Sequence, residues 1–214
     1  MDNHKKLKYD IEDVLDAFSL ERNVGECAEL NTLLQVDSNT PISNASFLEQ
    51  KRILLQQEGD FWNEEELKMK FLSHIFEIAD IEVANKIKTF YERPLSDVID
   101  GYKLNVVCDM LIASPMGIGK PKKPYFFLQE FKKSKNATDA EGQVLTAMLI
   151  AQHQNNNNNP IYGCWLQGKM WNFCTLNHKK FCVSRSYDAS QKPDLQNIIL
   201  ILKQLRVVIL SELL

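Results

Sequence analysis

The chain has 214 residues, 25 basic and 28 acidic side chains, a formal net charge of −3, an apolar share of 44% and a charged share of 25%. This composition excludes a fibrous or broadly disordered chain and suits one ordinary domain, or one domain with an appendage, built on a sizeable core. Apolar runs such as Ile198 to Leu202 fall far short of the ~20 residues a bilayer span needs, and the N-terminal Met1-Asp2-Asn3-His4-Lys5-Lys6 has no apolar signal segment, so a cytoplasmic protein without membrane contact is expected.

In chain order, residues 1–58 read as a helical extension with polar joints. Ile11, Val14, Leu15 and Phe18 fall at helical spacing, Asp37 to Pro41 breaks the pattern, and Phe47 to Gln57 resumes it. Gly59-Asp60 marks a soft boundary, so 59–214 is expected to form the main domain. Asn63 is an N-cap candidate, and Glu64-Glu65-Glu66 suit the positive end of a helix dipole. Leu67, Phe71, Ile75 and Ile78 then form an apolar stripe. Asp97 to Ile99 is a short, weak strand. Leu104 to Ala113 is a stronger one, with Leu104, Val106, Cys108, Met110 and Ile112 predicted on one face and Asn105 and Asp109 on the other. Ser114 to Pro124, with its glycines and prolines, reads as a loop, and Tyr125 to Lys132 as an aromatic-rich strand. Glu141 to Gln152 is helical, ahead of a polar loop through Asn155 to Asn159. Tyr162–Gln167 and Met170–Leu176 make a hairpin about Gly168-Lys169, Phe181–Ser184 adds a strand, and Asp194 to Leu214 a closing helix. The fold class is mixed α/β.

The five cysteines are odd in number and lack a Cys-x-x-Cys pair, which speaks against a disulfide framework. Cys164, Cys174, His178 and Cys182 are spaced too widely for a zinc knuckle, so no zinc is expected and these cysteines read as small apolar strand residues.

The chemistry concentrates in Asp109 and, farther on, Gln129-Glu130-Phe131-Lys132. Residues two apart on a strand share a face, so Glu130 and Lys132 emerge together. If the two strands pair, two carboxylates approach one another; their repulsion is relieved by a hard divalent cation, which oxygen ligands select. A lysine two residues along is suited to orient a water or to stabilise charge developing on a phosphoryl group. The competing structural reading is a solvated edge-strand pair.

In these residues and in the order of elements around them, the sequence resembles the PD-(D/E)XK nuclease superfamily, as a small stand-alone branch. The resemblance covers roughly 60–176. It implies a restriction-endonuclease-like core of mixed central sheet flanked by helices, with Asp109 as the family aspartate and Glu130 and Lys132 as its Glu-x-Lys. It further implies a glutamate on the first core helix, Glu64 or otherwise Glu65, and a supporting glutamine, Gln143. Asp109, Glu130, the Phe131 carbonyl and Glu64 would then hold Mg²⁺, with Mn²⁺ as substitute, and Lys132 would position the attacking water, leaving a 5′-phosphate. Cys108 stands where the family often has proline.

Lys120, Lys122, Lys123, Lys133 and Lys135 form a basic stretch suited to the phosphates of nucleic acid, DNA first, although a lysine-rich loop is more often solubilising surface. The alternative reading is an inactive nuclease-fold module acting in interaction; a homodimer stays open.

Overall fold

The computed structural model describes residues 4–25, 27–117, 119–132 and 139–214. In chain order the elements are α1 (Ile11–Phe18), β1 (Glu21–Val24), α2 (Ala28–Leu34), α3 (Ala45–Glu58) and α4 (Glu64–Leu67). A π-helical turn, Lys68–Leu72, joins α4 without a break to α5 (Ser73–Ala79). Then follow β2 (Lys88–Ile99), β3 (Tyr102–Met116), β4 (Lys120–Lys132), α6 (Ala140–Asn155), β5 (Ile161–Gln167), β6 (Met170–Asn177), β7 (Lys180–Asp188) and α7 (Lys192–Val208). The seven strands form one mixed sheet in the order β1-β7-β6-β5-β4-β3-β2. The pairs β4–β5 and β1–β7 are parallel and the others antiparallel.

Apolar burial is split between the two faces of this sheet. One face carries the helices from α2 to α5 together with α7, packing Leu30, Leu55, Phe71, Ile75 and Ile198. The other carries α1 and α6, packing Val14, Phe18, Val144, Met148 and Leu128. Because α6 must sit between two layers of apolar residues, it is apolar nearly all round from Val144 to Ala151. Its N-cap is Asp139, whose carboxylate accepts from the Gly142 N–H at 3.1 Å and from the Ile11 N–H at 2.7 Å. The α4 start is a capping box between Asn63 and Glu66.

Several expectations change. The segment before residue 59 is largely helical, but it also supplies β1 at the sheet edge and buried side chains to both faces. Ser114 to Pro124 is not a loop. Pro115 faces Pro121 across a hairpin whose turn lies at Gly117 and Gly119. Prolines are tolerated there because β3 pairs with β2 only as far as Ala113 and β4 with β5 only from Phe127, so the missing N–H groups have no outer neighbour to satisfy. The first core strand, expected to be short, runs the full length of β2. Cys27 and Cys182 form one disulfide, with Cα atoms 6.3 Å apart, linking the start of α2 to β7; this corrects the reading of Cys182 as a simple apolar strand residue. Cys164 and Cys174 are buried and free. Among the described residues no helix is long and apolar enough to cross a membrane.

Candidate active site

The alternation of β3 reverses at Asp109. Leu104 and Cys108 pack on the α6 side, as does Leu111, whereas Met110 and Ile112 pack on the opposite face. The single apolar face running from Leu104 to Ile112 is therefore corrected. The paired residues show the same dislocation. The β2–β3 register passes from Tyr91↔Met110 to Arg93↔Cys108, skipping Glu92 and Asp109, and the β3–β4 register begins only at Met110↔Gln129. Glu92 holds a left-handed backbone at φ 51°, unusual for a side chain with a Cβ. This break frees Asp109 from the ladder. Its Oδ2 instead accepts the Phe131 N–H at 2.7 Å, so a side chain completes the hydrogen bonding of β4.

The result is a cleft of about 330 Å³ lined by Tyr9, Glu92, Asp109, Glu130, Lys132 and Gln143, among others. Asp109 and Glu130 are 7% and 6% exposed, which removes them from the solvated-edge reading. Lys132 Nζ lies 2.6 Å from Glu130 Oε1. Helix α6 begins shortly after β4 ends, so Gln143 and Ala147, one turn apart, reach the cleft from above the C-terminal end of β4. Tyr9 closes another side; its hydroxyl accepts the Asn105 N–H at 2.8 Å.

Burial governs the electrostatics. It pushes the Glu130 carboxyl up to about 7, the Asp109 charge adds to this, and Lys132 counteracts it in part. Burial also raises Asp109, against the Phe131 N–H and Lys68. The Lys132 ammonium is held above its ordinary range by Glu130 and Asp109 despite desolvation.

Lys68, which the sequence reading passed over, enters from the other face of the sheet. Its Nζ stands 3.0 Å from Asp109 Oδ1, 2.8 Å from Glu92 Oε1 and 3.3 Å from Glu64 Oε1, and 5.7 Å from the centre of the Phe131 ring. Glu64 does not line the cleft, but besides pairing with Lys68 its charge acts directly on Glu130 and Lys132; Glu65 is 3.6 Å from the same ammonium. In the sequence Lys68 is marked only by its place one turn after the Glu64-Glu65-Glu66 run, where a lysine pairs with acids three and four residues back. Lys120, Lys122 and Lys123 are exposed on the β3–β4 hairpin arm. That arm is anchored through the Gly119 carbonyl, which accepts from Arg93 at 3.4 Å, next to Glu92. Lys133 and Lys135 lie outside the described residues.

The donor chemistry suits a hard dication, since two buried carboxylates from adjacent strands repel one another and Glu130 is left only partly compensated. As the side chains stand, no group of three or more Asp, Glu, His or Cys among the described residues is arranged to hold a metal ion. Two ammonium groups meet the two acids instead. Compared with known protein families and with curated proteins, the sequence matches none.

Proposed function

We propose that this protein is a metal-dependent nuclease that hydrolyses phosphodiester bonds in nucleic acid, with DNA as the first substrate to test. One observation carries the reading: Asp109, Glu130, Lys132 and Gln143, from two strands and a helix, line a single cleft. Supporting it, the elements around that cleft run helix 64–79, β2, β3, β4, α6, β5, the order of the restriction-endonuclease-like core that the sequence resembles. The exposed Lys120, Lys122 and Lys123 add a surface for backbone phosphates.

Asp109 and Glu130 would hold Mg²⁺, or Mn²⁺ in its place. When bound, the ion supplies Lewis acidity at a phosphoryl oxygen and an acidified water. Lys132 orients the nucleophilic water and offers its ammonium to the charge growing on phosphorus. Gln143 donates or accepts through its amide at the cleft wall and so fixes the water's orientation.

A second reading, a noncatalytic module of the same fold, is favoured by the ammonium groups already paired with both acids. Cleavage of labelled single- and double-stranded DNA with Mg²⁺ or Mn²⁺ separates the two. The nuclease reading expects metal-dependent product and a loss of about a hundredfold or more in Lys132→Ala. Equal cleavage by that variant and the wild type rejects the mechanism, and absence of any cleavage favours the module.

A further inference from the structure

The charges in the site balance in a particular way. Glu130 is met by Lys132 at 2.6 Å and Asp109 by Lys68 at 3.0 Å, one ammonium to each acid. Any dication bound by these carboxylates brings two positive charges into a site that already contains two, and at these separations like charges repel strongly where water is scarce. One lysine has to yield. Lys132 has a single carboxylate within ion-pair distance, and its stem rises from the same strand as Glu130. Lys68 has three further acids within reach, Glu92 at 2.8 Å, Glu64 at 3.3 Å and Glu65 at 3.6 Å, all more exposed than Asp109. It can let go of Asp109 without becoming an unpaired charge.

The accepting atom matters too. Asp109 Oδ2 is committed to the Phe131 N–H, a backbone group that cannot move away, so Oδ1 is the oxygen open to exchange, and Oδ1 is the one Lys68 holds. Lys68 also begins the π-helical turn between α4 and α5, a backbone irregularity often associated with functional positions.

We propose that Lys68 is a resident counter-cation of Asp109, which a divalent ion must displace toward Glu92 and Glu64, so that this lysine sets the metal affinity of the site. The inference rests on the nuclease reading, and it makes Lys68 a positioning residue. Its role is to balance the charge of buried Asp109 while no metal is bound, at the expense of weaker metal binding.

Calorimetric titration of the full-length protein with MnCl₂ at pH 8 tests this without reference to cleavage. Lys68→Met keeps an apolar stem of similar length and removes the ammonium; it is expected to bind Mn²⁺ about tenfold more tightly than the wild type, the scale of one charge-assisted hydrogen bond. Lys68→Arg, which keeps the charge, is expected to stay within about threefold of the wild type. Asp109→Asn should lose binding in either background. A far-ultraviolet circular dichroism spectrum and a melting curve without metal verify that each variant is folded. Mn²⁺ binding by Lys68→Met equal to or weaker than that of the wild type overturns the inference while the nuclease reading stands. Failure of the wild type and of every folded variant to bind Mn²⁺ overturns both.

Discussion

Glu130 combines burial, a neighbouring acid and a single lysine, and the balance of these shapes how the metal-free protein responds to pH. Its carboxyl is raised from the ordinary 4.5 to about 7. Between those values the unfolded chain has released the proton and the folded chain still holds it, so the fold loses stability as pH rises through this window. At 1.36 kcal/mol per unit the loss is at most on the order of 3 kcal/mol, and Asp109, also raised, contributes with the same sign. In chelator, the urea midpoint of the wild type is expected to fall from pH 5 to pH 8, and Glu130→Gln should flatten most of that slope; an unchanged slope in the variant contradicts the assignment. Asp109, Glu130 and Lys132 could be picked out in the sequence because charged residues inside apolar strands demand an explanation. Lys68 could not. Lys68-Met69-Lys70 reads as the wet side of a helix, and nothing in the chain announces that a strand from across the sheet supplies the carboxylate that Lys68 meets.

At the scale of elements, α6 and the segment before α1 are joined through Gly142. A Cβ at this position would collide with the Tyr9 carbonyl oxygen and the Ile11 amide nitrogen. Alanine ordinarily gains about 1 kcal/mol over glycine inside a helix. Here the opposing atoms are backbone and cannot rotate away, so overpacking of about 1–3 kcal/mol wins. Gly142→Ala is therefore expected to be less stable than the wild type by a net of up to about 2 kcal/mol in urea denaturation, and a stabilised variant would show that the arm can shift freely. Helix positions, the β5–β6 hairpin and the outline of the sheet were accessible from periodicity. The hairpin arm was not, because its prolines signal a loop unless one knows that both strands there lack an outer neighbour. The reversal at Asp109 was hidden for a different reason: Met110 and Ile112 are apolar on either face, so continuous alternation and a flipped one look alike in sequence.

For the whole molecule, the first 58 residues are structural material and not an ornament. Val14 and Phe18 fill the layer under α6, while Leu30, Leu33, Leu48 and Leu55 fill the opposite one. The disulfide from Cys27 to Cys182 spans 155 positions of sequence and fixes α2 beside the far edge of the sheet. The sheet is thus covered on both faces and ends in two edge strands, β1 paired with β7 and β2 paired with β3; α6 also ties to β2 through His153–Asp97 and through Gln154, which donates to the Ser96 carbonyl. The β2–β3 ladder is interrupted at Glu92 and Asp109, which divides β2 into two hydrogen-bonded blocks, 88–91 and 93–99, meeting at a pivot at Glu92. In hydrogen–deuterium exchange the amides of 88–91 and 93–99 are expected to open as separate blocks with distinct rates, and uniform protection along the strand would mean that the pivot is rigid.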